Sequence, residues 1–341
     1  MNASVSRRHA LSLIACAPMV LCRHATAATH PIDESGFVPI GGIDQWLSIR
    51  GSNLRNPVIL YLHGGPAEAQ SPFLKQFLPW EADFTVVNWD QRGSGKTYGR
   101  NGPTTPGMST PEMALDQMAE DVRQIVEHLR GRLGKKKVIL VGQSWGTLLG
   151  LKVVKKWPQL FHAFAGTGFF VSWSQSLQGQ ARWTRQQAAA VNDQAALKEL
   201  DDTASLPETD MKRIIAANKY RWAPSDLEYL KIQQEFVGPP PLPTQGDVAD
   251  WLAGSGFTIP KLLPVVFSYD ARKTGLDIPV PFFVIQGRDD HVTDFAVAKA
   301  YVEEVRAPVK KFIPISGGHF ACFTDPAGFV GALRRQARPA D

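Results

Sequence analysis

Three residue types that together make a nucleophilic proton relay stand along this chain, each just past an apolar run. Ser144 lies in Gly142-Gln143-Ser144-Trp145-Gly146, after the run Val138–Val141 and before a fresh helical pattern. That context reads as strand, sharp turn and helix, with Ser144 at the apex. The spacing Gly-x-Ser-x-Gly fits a nucleophile elbow, in which glycines make room for a strained, exposed serine. The helix that starts there aims unpaired N–H groups and its positive dipole end at the point where an attacked carbonyl gains negative charge. The Trp145 N–H is the natural first donor. A serine in such a turn can also simply cap the helix, so the pentapeptide needs support from elsewhere in the chain.

A serine hydroxyl is a poor nucleophile at neutral pH and needs a base to take its proton and an acid to orient that base. The run Phe282–Ile285 leads into Gln286-Gly287-Arg288-Asp289-Asp290-His291, and Val309–Ile315 leads into Ser316-Gly317-Gly318-His319. Asp289 and Asp290 are both candidates for the acid. His319 is preferred to His291 as the base, because adjacent residues rarely place an imidazole between their own carboxylate and a distant serine. Gly65, in His63-Gly64-Gly65-Pro66 after the run Pro57–Leu62, is assigned as the second oxyanion donor, since paired glycines let a backbone N–H approach a ligand closely. His63 is read as an imidazole that stabilises this loop. The chemistry requires no metal and no organic cofactor.

The elements that must position these groups alternate between strand and helix. Phe37–Ile40 and Ile43–Arg50 read as an opening hairpin, and Pro57–Leu62, Phe84–Trp89, Val138–Val141, Phe161–Gly166, Pro279–Ile285 and Val309–Ile315 as buried strands. Helical spacing marks residues Pro111–Leu133, Phe295–Val305 and Pro326–Arg335. From about Phe170 to Arg272 the pattern becomes polar and helical in segments, with four tryptophans and the break Gly238-Pro239-Pro240-Pro241-Leu242-Pro243. This division gives a core over residues 28–169, an inserted cap over 170–272 and a second core segment over 273–341.

Residues 1–27 read as an export signal: Arg7-Arg8, an apolar stretch from Leu11 to Leu21, and the small-x-small site Ala25-Thr26-Ala27. The adjacent arginines resemble a twin-arginine leader, which predicts a periplasmic protein without stable membrane association after cleavage. Of the formal charge of +5, Arg7, Arg8 and Arg23 belong to the leader. The small excess that remains argues against nucleic acid as a partner. Cleavage would also remove Cys16 and Cys22, leaving Cys322 without a disulfide partner. Flanked by Phe320 and Phe323, it reads as a buried apolar residue. Gly95-Lys96-Thr97 ends like a phosphate-binding loop, yet Asp90 stands where that motif needs glycine. Nucleotide binding is therefore not expected. Oligomeric state is not legible in these patterns.

The order Ser, Asp, His and the motifs around it resemble the α/β-hydrolase superfamily. That resemblance implies the fold: a mostly parallel central sheet flanked by helices, with an inserted, largely helical cap. It also selects Asp290 as the acid, because the loop commonly reads Gly-x-x-Asp, counted here from Gly287. More closely, His63-Gly64-Gly65-Pro66, Trp89-Asp90-Gln91-Arg92-Gly93-Ser94-Gly95 and Gly142-Gln143-Ser144-Trp145-Gly146 resemble the proline iminopeptidase family over about Phe37 to Arg335. The resemblance implies an aminopeptidase that releases an N-terminal residue from a small peptide or amide. In that family, cap carboxylates hold the free amine. Two departures stand out. Ala67 replaces a glycine usual after Pro66, followed by Glu68 near the expected site mouth, and the cap has no match to the Trp-x-x-Trp-Glu segment, leaving Glu228 and Glu235 as substitutes. A carboxylic ester or lactone hydrolase with the same three residues is the alternative, and a non-catalytic binding protein on the same fold a further one.

Overall fold

In the strand that precedes Ser144, Val138 and Leu140 enter one apolar cluster while Ile139 and Val141 enter another. A period of two with both sides apolar is what a strand covered on both faces requires. The computed structural model describes residues 31–234 and 244–337, so the proposed leader and the proline run 238–243 lie outside the described residues.

In chain order the elements begin with β1 (Ile32–Ile40), β2 (Ile43–Gly51), β3 (Val58–Leu62), β4 (Thr85–Trp89), α1 (Gly95–Asn101), α2 (Leu115–Leu133), β5 (Val138–Gln143), α3 (Trp145–Lys156) and β6 (Phe161–Thr167). Five helices follow before the next strand: α4 (Trp173–Ala190), α5 (Gln194–Thr203), α6 (Met211–Ala217), α7 (Pro224–Gln234) and α8 (Gln245–Ser268). The chain then returns with β7 (Phe282–Gly287), α9 (Phe295–Glu304), β8 (Lys310–Ile315), α10 (Ala321–Thr324) and α11 (Pro326–Ala337).

The eight strands form one sheet in the order β1-β2-β4-β3-β5-β6-β7-β8. The pairs β1–β2 and β2–β4 are antiparallel, and every other pair is parallel. Residues of α2, α3 and α9 share the apolar cluster on one face, and α11 joins Phe77 and Trp80 on the other. The result is an α/β sheet between helical layers with a helical insertion, the fold class expected. From β3 the chain crosses outward to β4 and then returns past β3 to β5, so the loops after β3 and β5 leave from neighbouring strands at a topological switch point. Such a point is where open α/β sheets place their ligands.

Several element boundaries differ from the sequence reading, each for a local reason. β1 begins at Ile32 because it pairs along its full length with β2, from Ile32 opposite Gly51 to Ile40 opposite Ile43. α2 begins at Leu115, since residues just after Pro111 are spent in turns, with the Met113 N–H on Ser109 O and the Ala114 N–H on Pro111 O. β7 starts only at Phe282, as Pro279 and Pro281 lack the N–H a ladder needs. Conversely, α8 runs through Pro260 and Pro264, residues that ordinarily end a helix. Tertiary contacts hold it: Thr258 Oγ1 donates to Gly93 O, Trp251 Nε1 donates to Ala69 O, and Leu262 enters the main core.

Candidate active site

Ser144 sits at φ 52° and ψ −117°, a backbone region that residues with side chains seldom occupy. Hydrogen bonds hold it there. Its N–H donates to Thr167 O at 3.0 Å, and its carbonyl accepts from the Thr147 N–H at 2.9 Å and from Thr147 Oγ1 at 2.6 Å. The flanking glycines answer to packing. A Cβ on Gly146 would collide with the Leu62 carbonyl, and one on Gly142 would stand 2.6 Å from Gly146 O. The start of α3 is thereby pressed onto the ends of β3 and β5. Ser144 remains half-buried between the buried side chains of Gln143 and Trp145.

The loop after β3 brings Gly65 to the same end of the sheet. Gly65 has φ 106°, and a Cβ there would stand 2.8 Å from both Ala67 N and Glu68 N. Ala67 itself adopts φ 73°, so the residue that departs from the expected glycine carries an alanine in the left-handed region. His63 is fully buried, with Nε2 accepting from the Gln91 N–H at 3.1 Å and Nδ1 on Gly64 O at 3.0 Å. Burial pulls its pKa down to about 4, so the ring is neutral and committed to this loop. Gln91 then links loop and elbow: its Nε2 donates to His63 O and its Oε1 accepts from Trp145 Nε1. Among the described residues, neither the Gly65 nor the Trp145 N–H has an acceptor. In place of a phosphate-binding glycine, buried Asp90 accepts from the N–H groups of Ser71 and Lys96.

Asp290 and His319 meet. His319 Nδ1 lies 3.2 Å from Asp290 Oδ1 and 3.1 Å from Oδ2, with both side chains buried. Asp290 also accepts from the N–H groups of Val292 and Thr293 at 3.0 Å, from Thr293 Oγ1 at 2.9 Å and from Gln286 Nε2 at 2.7 Å. Burial would raise its pKa, but the His319 charge and these donors outweigh it and hold the carboxyl below its ordinary value. For His319, burial alone would lower the pKa, and the carboxylates of Asp290, Asp226 and Glu68 more than offset it. Asp289, by contrast, is exposed, and His291 stacks on Trp183 with centroids 3.6 Å apart.

β8 is three strands from β5, about 14 Å at the usual spacing, and among the described residues no hydrogen bond joins His319 to Ser144. The His319 ring reaches the end of β6, where Gly168 stands against it. A Cβ on this glycine would come within 2.8 Å of His319 Cε1, and its neighbour Thr167 holds the Ser144 N–H. Only a residue without a side chain lets the ring pass there.

Three contributors escaped the sequence reading. Thr293 could have been found, because Asp290 three residues before it forms an Asx-type turn onto its N–H. Gln286 stood in the sequence reading only as the first residue after a strand, and the structure includes it in β7. Asp226, which accepts from the His319 and Phe320 N–H groups, lies 93 residues before His319 and left no local signal. Of the two substitutes considered for the amine carboxylates, Glu228 is exposed and pairs with Lys231, and Glu235 lies outside the described residues. Glu68 is half-buried and accepts from Gln233 Nε2 at 3.0 Å. Cys322 is buried, with its thiol pKa pushed up by burial.

Known proteins resemble this chain in sequence and in fold. The chain is 26% identical over 314 residues to "Probable aminopeptidase YbaC" of Bacillus subtilis, an alignment covering 88% of this chain and 94% of that one. The crystal structure of a proline iminopeptidase from Mycobacterium smegmatis superposes with a TM-score of 0.63 at 19% identity, covering 89% of this chain and 97% of the other. An epoxide hydrolase from Vigna radiata, VrEH1, superposes with a TM-score of 0.55 at 20% identity over 89% and 97% of the two chains; like the Mycobacterium structure, it shows a likeness of fold alone. A curated proline iminopeptidase of Lactobacillus delbrueckii subsp. bulgaricus is 22% identical over 270 residues, covering 78% of this chain and 85% of that one, so relatives by sequence carry the name that the resemblance gave. The model of the alpha/beta hydrolase fold matches residues 57–326, and the chain belongs to that family.

Proposed function

We propose that this hydrolase uses Ser144 as nucleophile, works through an acyl-enzyme, and acts as a proline iminopeptidase-like aminopeptidase that releases an N-terminal residue from small peptides or amides. The observation that carries the reading is the Asp290–His319 contact: Nδ1 is taken by the carboxylate, which leaves Nε2 for proton transfer. Ser144 Oγ attacks the carbonyl while His319 takes its proton. The N–H groups of Gly65 and Trp145 then receive the oxyanion, each contributing about 3 kcal/mol if it behaves like other single donors of this kind. The protonated His319 next delivers its proton to the leaving amine. Water, deprotonated by the same ring, releases the acyl group and restores the serine.

Peptide rather than ester substrates are supported by Glu68. Its carboxyl is desolvated enough to have a raised pKa, it interacts electrostatically with His319, and no lysine or arginine pairs with it among the described residues. A substrate ammonium would supply the missing cation. The second reading, a carboxylic ester or lactone hydrolase, is favoured by the outward position of Glu228, which leaves that cap residue unavailable to an amine. A fluorophosphonate probe should label the wild type and not Ser144→Ala. An unlabelled wild type points instead to a binding protein. Turnover of prolyl and alanyl arylamides, lost when the amine is acylated, supports the aminopeptidase; turnover of aryl esters alone overturns it.

Export through residues 1–27 belongs to the same proposal and rests on the Arg7-Arg8 pair and the Ala25-Thr26-Ala27 site. Lysine at both arginine positions should leave uncleaved precursor in the cytoplasmic fraction. Unchanged processing would rule out the twin-arginine route.

A further inference from the structure

The cap reaches the base through its backbone. Asp226, in the first turn of α7, is buried, and its two carboxylate oxygens are spent on the His319 loop: Oδ2 accepts from the His319 N–H at 2.9 Å and Oδ1 from the Phe320 N–H at 3.0 Å. Oδ2 also takes the Ala223 N–H at 3.2 Å, which ties the carboxylate to its own helix start. The loop is shaped around it. A Cβ on Gly318 would collide with Asp226 Oδ2 and stand 2.7 Å from the Ala223 Cβ. Rings complete the joint, with Tyr229 stacked on Phe320 at 4.4 Å and on Phe323 at 5.2 Å, and Trp222 on Phe320 at 5.5 Å.

We propose that Asp226 is a positioning residue: by gripping the His319 and Phe320 amides, it sets the height and tilt of the imidazole over Gly168, so the base is in register only while α7 is docked. This rests on the reading of His319 as the base. Two consecutive N–H groups held by one carboxylate fix the peptide plane from which the side chain departs, and charge-assisted bonds in a dry setting are the strong ones. A misplacement of about 1 Å at a reacting group can cost about 10²-fold in rate. Asp226 also adds negative charge beside the ring. Among the described residues, the other carboxylates acting on His319 are Asp290, after β7, and Glu68, after β3. The segment before α7 brings Arg221, whose guanidinium lies 4.5 Å over the Trp222 ring.

Asp226→Asn and Gly318→Ala test this. The first replaces an acceptor with an N–H₂ that must face an N–H donor or rotate away, and it removes the charge. The second displaces the carboxylate and keeps the charge. Both should lower kcat by about 10²-fold with little change in KM. Only Asp226→Asn should move the acid limb of kcat/KM to lower pH, by about half a unit or more, because the imidazolium loses a stabilising neighbour. In both, the low-field proton resonance of the His319–Asp290 bond should shift or broaden. That signal needs no turnover, so it still tests Asp226 if the wild type fails to react with the serine probe. Folded variants with unchanged kcat, acid limb and resonance overturn the proposal. So does loss of cooperative unfolding in both, which would make Asp226 a stability residue alone.

Discussion

At the scale of single residues, neighbouring groups of identical chemistry diverge because of what surrounds them. Asp289 and Asp290 are adjacent, yet one is exposed and the other is buried against His319 with four further hydrogen-bond donors. Asp290→Asn should therefore reduce kcat by about 10⁴-fold, as expected when the imbalance of tautomers disables the base. Asp289→Asn should change it by less than about threefold, since an exposed charge contributes little. Steady-state kinetics on an arylamide or ester decides, and the reverse ranking would remove Asp290 from the mechanism. Glu68 offers a second comparison at this scale. Glu68→Gln should raise KM for substrates with a free amine by about 10-fold, the loss of about 1.4 kcal/mol, and leave KM for N-acylated esters unchanged.

At the scale of elements, the loops after β3 and β4 carry two buried titrating groups with opposite signs. His63 has its pKa lowered to about 4 by burial, so between about 6.5 and 4 the unfolded chain binds more protons and stability falls as the pH drops. Asp90 has its pKa raised to about 6, chiefly by burial, against donors that lower it. Between about 6 and 3.8 the folded chain binds more protons, and stability rises as the pH drops. Each effect is worth about 3 kcal/mol, so they largely cancel over that window. Asp90→Asn removes one of them. Its unfolding free energy, measured in urea, should fall more steeply than that of the wild type between pH 6.5 and 4.5; parallel curves would show that Asp90 does not titrate in this range.

Across the whole molecule, Arg92 joins parts of the chain that no local rule connects. Buried with Asp121, it donates through Nε to Oδ2 and through Nη2 to Oδ1, both at 2.8 Å, and its guanidinium also reaches the carbonyls of Gly41 and Gly107. The loop beside the oxyanion turn is thus tied to the β1–β2 turn and to α2. Removing one partner leaves a buried charge unpaired. Asp121→Ala should therefore cost about 3–5 kcal/mol, read as a lower urea midpoint, whereas Arg100→Ala, at the exposed pair with Asp44, should cost less than about 1 kcal/mol. Equal losses would mean that burial of the Arg92 pair has no energetic weight.

Much of this was open to reading along the chain. Strand runs, the elbow pentapeptide and the paired glycines after β3 are local signals, because a strand buried on both faces must be apolar and a backbone pressed onto its neighbours must lack a Cβ. The order of Ser144, Asp290 and His319 is local in the same sense, since each follows a strand. What only the tertiary structure decided is how those strand ends meet: the passage of His319 over Gly168, the grip of Asp226 from a helix 93 residues away, the pairing of Glu68 with Gln233, and the survival of α8 through two prolines. These depend on contacts between residues remote in sequence, whose side chains carry no periodicity and no turn chemistry that a single strand of text could display.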